Sequence, residues 1–256
     1  MRLKRLPLTG ANSIGDPVAS IIIPTLNEES AISKTISRIP ESLRTCCQIL
    51  VIDGLSTDAT IDEAKRVGAD ILLVDQPGKG YAMREGARHA KGEILLFIDG
   101  DGTYPSEAIP TFLQTVREGI MVLGNAVPYL RSRDTMIQKL RHLYPSFMLT
   151  RFVFSRSGIH LQDPLNGMRA ITKHDFHRLN LTASGFEIET EMDIKAINNG
   201  MKIVELPIRI SPRDGNERSK FLFNFRSHLK ILSLLRAYKH NNGSTNGSTP
   251  HLEELS

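Results

Sequence analysis

The sequence predicts an α/β fold with a mostly parallel central sheet flanked by helices. Three observations carry that reading. From Ala19 to Asn125 short β-branched runs alternate with longer amphipathic stretches, the runs are apolar on both faces, and each leads into a segment with helical spacing. Strands are expected at Ser20 to Pro24, Gln48 to Asp53, Ile71 to Val74, Glu93 to Ile98 and Ile120 to Leu123. Helices are expected to start near Glu28, Thr57, Gly80 and Pro105, the second introduced by Ser56, Thr57 and Asp58, whose side chains can satisfy free amides at a helix start. After Asn125 the rhythm turns helical, with pieces from Asp134 to Leu143 and from Pro145 onward. A helix from Phe186 to Asn198 and a strand from Lys202 to Ile210 follow.

Composition narrows the function classes. A chain of 256 residues with 40% apolar content can bury one substantial core. Its net charge of +4 is too small to mark a nucleic-acid binder, so anionic partners belong to local basic clusters. The only cysteines, adjacent Cys46 and Cys47, give neither a disulfide framework nor zinc spacing, and they read as partly buried thiols in a reducing compartment. No apolar run reaches the roughly 18 residues of a membrane span, and no signal-peptide core follows Arg2, Lys4 and Arg5, so a cytoplasmic protein is expected.

In an open α/β sheet, ligands gather at the carboxyl ends of the strands. Asp99 and Asp101 stand there, one residue apart after the buried run Ile94 to Ile98. Two converging carboxylates are costly without a cation, and a hard divalent ion completed by substrate phosphates is the usual solution. At the first junction Pro24, Thr25, Asn27 and Glu28 offer small, polar and acidic groups, and at the second Asp53 adds a carboxylate able to accept from a ribose or a base edge. At the third, Gly78-Lys79-Gly80 combines flexible backbone with one cation, suited to a diphosphate.

These segments resemble the inverting family 2 glycosyltransferases with the GT-A fold, in particular the polyprenyl-phosphate group that includes dolichol-phosphate mannose synthase. The residues that carry the likeness are Pro-Thr-Leu-Asn-Glu-Glu from Pro24, Asp-Gly-Leu-Ser-Thr-Asp-Ala-Thr from Asp53, Gly-Lys-Gly-Tyr-Ala from Gly78 and Asp-Gly-Asp-Gly-Thr-Tyr-Pro from Asp99. Further on stand Asp-Pro-Leu-Asn-Gly-Met-Arg-Ala from Asp163, Gly-Phe-Glu-Ile-Glu-Thr-Glu-Met from Gly185 and Pro-Arg-Asp-Gly-Asn-Glu-Arg-Ser-Lys from Pro212. The resemblance implies that Asp99 and Asp101 flank a Mg²⁺ or Mn²⁺ ion. It also implies that Pro24, Thr25, Asn27, Glu28, Asp53 and Asp99 surround the nucleotide, with Lys79 near the base or the phosphates. Gly54 stands where many relatives carry a second acid, Thr103 where Gln is frequent, and Ala126 where an Arg is usual.

For the acceptor, a phosphate monoester is already largely dianionic near neutral pH and needs cations, whereas a sugar hydroxyl needs a general base. Arg131, Arg133, Arg141, Arg169, Arg213, Arg218 and Lys220 supply cations toward the acceptor end. Arg131, Arg141, Arg213 and Lys220 are the expected phosphate ligands, and Asp101, Arg213 and Lys220 the expected catalytic set. Arg213 and Lys220 match the Arg-x-Gly and Ser-Lys motifs that the resemblance implies. Glu189 or Asp163 would be the base for a hydroxyl acceptor. Expected partners are a nucleotide-sugar donor, linked to UDP or GDP, a polyprenyl phosphate, a membrane surface and a small membrane subunit, with no nucleic acid.

The expected organisation is an N-terminal extension over 1–18, a catalytic domain over 19–220, a basic amphipathic helix over 221–240 and a flexible tail over 241–256. The helix carries Leu222, Phe225, Leu229, Leu232 and Leu235 at helical spacing with Arg226, Lys230 and Arg236, suited to a membrane headgroup region at the cytoplasmic face or to packing on the domain. Competing classes fit less well. A nucleotidyltransferase would place a Gly-rich loop after the first strand, a dinucleotide enzyme would need a third Gly where Met83 stands, and a non-catalytic nucleotide-sugar binder would have little use for both Asp99 and Asp101.

Overall fold

The computed structural model of the protein describes residues 16–129, 160–212 and 229–235. Its centre is a seven-stranded sheet in the order β3-β2-β1-β4-β6-β5-β7. The strands are β1 (Ala19–Thr25), β2 (Cys47–Asp53), β3 (Asp70–Leu73), β4 (Ile94–Phe97), β5 (Ile120–Asn125), β6 (Arg169–Thr172) and β7 (Lys202–Pro207). The helices are α1 (Ile32–Ser37), α2 (Glu41–Arg44), α3 (Thr60–Arg66), α4 (Lys79–His89), α5 (Ile109–Thr115), α6 (Lys173–Arg178) and α7 (Ile188–Asn198). Pairing is parallel for β1 with β2 and β4, for β2 with β3 and for β5 with β7, while β6 runs antiparallel to β4 and β5. Six strands therefore point one way. Their carboxyl ends form one edge.

Double-sided burial follows from alternation along β1. Ile21 and Ile23 enter one apolar cluster with Ile32, Ile36, Ile109 and Phe112 from α1 and α5. Ile22 enters another with Met83, Phe176, Ile188 and Met192 from α4, α6 and α7. Side chains of successive strand residues point to opposite faces, so a strand covered on both sides must be apolar at every position.

The expected strands all form, five of them within two residues of their expected ends, while β7 stops at Pro207, three residues before the expected Ile210. β6 is an addition to the expected pattern. Its sequence, Arg-Ala-Ile-Thr, is too short and too mixed for a period-two signal, and it becomes a strand because β4 and β5 on either side have ladder groups to fill. α1 at Ile32, α3 at Thr60 and α5 at Ile109 start later than expected; side chains bond across between the first two junctions, and a short 3-10 turn, Ser106–Ala108, precedes α5. Asp58 does bond the amide of Thr60, as a helix-start residue would.

A fully buried guanidinium joins the sheet to α7. Arg169 donates from Nε to the Asn166 carbonyl (2.8 Å), from Nη1 to Asp193 Oδ1 (2.6 Å) and the Glu189 carbonyl (3.0 Å), and from Nη2 to the Pro164 carbonyl (2.6 Å). Burial raises the pKa of the Asp193 carboxyl and Arg169 opposes that rise. Arg169, counted above among acceptor-side cations, is thus a core residue.

Residues 229–235 are helical and pack on the domain. Ile231 and Leu235 join a third apolar cluster with Leu161, Leu165 and Ile194, whereas Leu229 is exposed. Of the expected apolar stripe Leu235 is buried and Leu229 is exposed; Ile231, four residues before Leu235 and outside that stripe, completes the buried face. The expected helices at 134–143 and from Pro145, the tail and most of the N-terminal extension lie outside the described residues.

Removing Arg169 leaves the Asp193 charge buried without its partner, so Arg169→Met should cost about 3 to 5 kcal/mol of unfolding free energy. The double variant Arg169→Met with Asp193→Leu should lose clearly less than the sum of the two single changes. Urea denaturation measures both, and a single-variant loss under about 1 kcal/mol would show that the pair does not anchor the fold.

Candidate functional site

The first two junctions interlock around Asp53. Its carboxylate is fully buried, accepting from the Ser56 amide (2.7 Å) and hydroxyl (2.6 Å) and from the Thr25 hydroxyl (3.0 Å). The Ser56 hydroxyl in turn accepts from the Asn27 amide (2.8 Å), Asn27 Oδ1 accepts from the Thr57 amide (2.8 Å), and the Glu28 amide donates to Thr60 Oγ1 (2.7 Å). Asn27 and Leu55 both sit at positive φ, 53° and 64°, held there by these bonds. Asp53 thus bonds the two loops to one another from inside. Pro24 is half-buried, Thr25 and Glu28 are buried, and Leu26 and Leu55 are exposed beside Glu29, Ser30 and Thr57. Nothing in the sequence marked those two leucines, since an apolar residue in a polar loop carries no periodicity.

The third and fourth junctions meet at a charge cluster. α4 begins with Lys79, and Gly78 before it takes φ 127°, with its Cα so close to the Ser184 carbonyl that a side chain would not fit. Lys79 Nζ lies 2.5 Å from Asp99 Oδ1 and 2.7 Å from Glu189 Oε1. Burial works to lower the Lys79 pKa, but Asp99 and Glu189 overcome it, and the ammonium is held above the usual lysine value. Asp99 is raised by burial, which Lys79 opposes and Asp101 and Glu189 reinforce. Asp101 is buried and accepts from the Thr103 amide (2.9 Å).

Gly167 closes the cluster from the acceptor side. A Cβ there would stand 2.9 Å from Asp99 Oδ2, 3.0 Å from Lys79 Nζ and 3.2 Å from Glu189 Oε1, and the Gly167 amide donates to the Tyr104 hydroxyl (2.8 Å). Glycine is the residue that leaves this space open. Asp99 and Glu189 thus flank the Lys79 ammonium, and Asp101 adds its charge beside Asp99, an anion-rich setting whose oxygen donors suit a hard divalent cation. Among the described residues no group of three His, Cys, Asp or Glu has metal-binding geometry, so Asp99 and Asp101 could hold an ion whose remaining ligands are phosphates and water.

The acidic residues of the acceptor half are already bonded. Asp163 Oδ2 accepts from the Ala126 amide (3.0 Å) and Asn166 Nδ2 (2.9 Å), and Glu205 accepts from the amides of Gln162 and Asp163. The three glutamates expected on one helix go separate ways. Glu187 pairs with Lys230 (2.9 Å), Glu189 with Lys79, and Glu191 with Lys195 (2.8 Å) and the amides of Thr182 and Ala183. All three are buried, more than the helix alone suggested. Arg131, Arg133, Arg141, Arg213, Arg218 and Lys220 lie outside the described residues. Cys47 is buried, its thiol pushed up to about 12 mainly by burial, and Cys46 is half-buried beside it.

Comparison with known proteins agrees with the geometry. A family model described as glycosyl transferase family 2 matches residues 20–179. Glycosyltransferase AglJ of Haloferax volcanii is 34% identical over 200 residues, covering 77% of this chain and 64% of its own length. The low-salt glycan biosynthesis hexosyltransferase Agl6 of the same organism is 30% identical over 81% of this chain, which spans 51% of it. The chain thus corresponds to about half to two thirds of these relatives. A dolichol-phosphate mannosyltransferase of Pyrococcus furiosus is 27% identical over 82% of this chain and 62% of its own. A Mycobacterium tuberculosis glucosyl-3-phosphoglycerate synthase, solved with Mn²⁺, uridine diphosphate and glucosyl-3-phosphoglycerate, superimposes with a TM-score of 0.68 at 22% identity, covering 88% of this chain and 80% of that one. That likeness establishes the GT-A fold. With a family model over more than half its length and a relative 34% identical over 77% of it, the chain belongs to glycosyl transferase family 2.

Proposed function

We propose that the chain transfers a sugar from a UDP- or GDP-linked donor to a polyprenyl phosphate, inverting the anomeric centre, at the cytoplasmic face of a membrane. The observation that carries the acceptor class is the state of the acids. Asp163 and Glu189, the two candidates for a general base, are buried and bonded to Ala126, Asn166 and Lys79. A hydroxyl acceptor needs a carboxylate placed to take its proton, and a phosphate acceptor does not.

In this reading the loops locked by Asp53 present Pro24, Leu26 and Leu55 to the nucleoside, and Lys79 stands at the diphosphate. A divalent ion on Asp99 and Asp101 would neutralise charge on the departing diphosphate. An acceptor phosphate oxygen attacks the anomeric carbon as the bond from that carbon to the diphosphate oxygen breaks, and the electron pair leaves with the diphosphate. Arg131, Arg141, Arg213 and Lys220 are the proposed ligands of the acceptor phosphate, with Arg213 and Lys220 acting in the transfer itself. The lipid assignment draws support from relatives named dolichol-phosphate mannosyltransferase and dolichyl-phosphate hexose transferase. Among the described residues no helix is long and apolar enough to cross a membrane. The basic segment around 221–240, or a small membrane subunit, is the proposed means of attachment. The structural neighbour bound to a phosphorylated acid favours a second reading, in which the phosphate acceptor is soluble.

A panel of UDP- and GDP-sugars against geranylgeranyl phosphate, 3-phosphoglycerate and a free sugar, with Mn²⁺ or Mg²⁺, separates these readings by product. Transfer to the lipid phosphate is the expected result, and transfer to the sugar alone would overturn the phosphate acceptor. Release of pyrophosphate in place of a nucleoside diphosphate would indicate nucleotidyl transfer.

Asp101→Asn should lower transfer by about a hundred- to a thousandfold, the scale of losing a group that stabilises leaving-group charge. EDTA should abolish wild-type turnover and Mn²⁺ should restore it; undiminished turnover in EDTA would remove the metal from the mechanism. Lys79→Met supplies a readout independent of activity. Without its ammonium the carboxylates have no local counter-ion, so Mn²⁺ should raise the melting temperature of this variant more than that of the wild type. An equal or smaller rise would place the ion elsewhere.

A further inference from the structure

The segment that leaves β7 carries a cation that the sequence reading did not single out. The Ile208 amide donates to the Asn125 carbonyl at the end of β5 (2.9 Å), and the Ser211 amide donates to the Thr103 carbonyl (2.9 Å), two residues beyond Asp101. Pro207 and Pro212 bracket the segment and restrict its backbone. It is thus fixed at the rim of the site, between the last parallel strand pair and the loop that carries Asp101. Ile208 is buried and Ile210 packs on the core, which turns Arg209 outward between them.

Arg209 is presented in a defined pose. Its guanidinium lies over the ring of Tyr129, 4.9 Å from the centroid, and Tyr129 belongs to the short turn Val127–Tyr129 directly after β5. Among the described residues Arg209 forms no ion pair. A guanidinium held over a ring by its charge keeps N–H groups for a further acceptor, and its fork can grip a phosphate bidentately. A lysine at this place would offer a point charge without that fork.

We propose that Arg209, held by Tyr129, is a ligand for the phosphate of the acceptor and sets the preference for a phosphate monoester over an alcohol. The proposal rests on the phosphate-acceptor reading above and adds to it a residue outside the Arg213 to Lys220 motif. The recognised chemistry is a phosphate monoester dianion, from a lipid or from a soluble acceptor.

Equilibrium binding to the full chain, with UDP or GDP and Mn²⁺ present, tests it with three probes: geranylgeranyl phosphate, geranylgeraniol and 3-phosphoglycerate. The wild type should prefer the lipid phosphate to the alcohol by about tenfold or more, the scale of one charge-assisted hydrogen-bonded contact. Arg209→Gln should lose most of that preference, Arg209→Lys should keep part of it, and Tyr129→Leu should fall between wild type and Arg209→Gln. Unchanged near-ultraviolet dichroism checks that each variant is folded. A preference for phosphate that survives intact in Arg209→Gln overturns the role of Arg209 and leaves the phosphate-acceptor reading standing. No preference for either phosphate in the wild type overturns both. Tight binding of 3-phosphoglycerate that falls with Arg209→Gln supports Arg209 as a phosphate ligand and assigns it to a soluble acceptor.

Discussion

Arg169 opens β6, the one antiparallel strand among the described residues, and its side chain turns into the core instead of out to solvent. Removing a guanidinium from water costs several kcal/mol, so it is tolerated only where acceptors surround it. Here the acceptors are Asp193 and the carbonyls of Pro164, Asn166 and Glu189. Two of those carbonyls belong to the turn that leads to Gly167, and the third belongs to the residue whose carboxylate meets Lys79. The guanidinium therefore fixes the turn and α7 relative to one another. The gap beside Gly167, and the height of Glu189 under Lys79, both depend on it.

The donor half uses the opposite charge to the same end. Asp53 is an anion buried at a strand end, and its bonds come from Thr25 and Ser56 on the two loops that flank the nucleoside side. A buried carboxylate with hydrogen bonds from two different loops makes each loop a condition of the other's shape. That mutual dependence accounts for non-glycine residues at positive φ, Asn27 and Leu55, at the tips. The strain of each is offset by bonds that form only there.

What the sequence made legible follows from what is local. β1, β2 and β4 announce themselves because burial on both faces demands unbroken apolar runs, and Asp99 and Asp101 stand out because a charged pair directly after such a run has few structural uses. What stayed hidden is set by contacts distant in the chain. Glu189 lies 110 residues from Lys79, and no spacing rule connects them. Asp53 was visible as a carboxylate at a strand end, but whether it faces outward or into the loops depends on Ser56 and Thr25 closing around it. β6 has no strand signature of its own and exists because its neighbours offer ladders. Arg209 carries no motif of its own, and its place over Tyr129 depends on a residue eighty positions earlier.

The allocation of acids and bases across the sheet edge is itself an argument about chemistry. Asp163 and Glu189 are each held through one oxygen, Oδ2 and Oε1, so taking a proton from a sugar hydroxyl would compete with the bonds that position them. In this fold Asp163 holds the amide that follows β5, Glu205 holds the turn before Gly167, and Glu189 holds Lys79, so each acid has a positional task that protonation would weaken. A phosphate acceptor brings its own negative oxygen and imposes no such requirement. It asks for a site where the acids are locked and the cations are presented. Arg209 over Tyr129 is presented in that way, and the locked acids leave the acceptor half free to use its cations for binding.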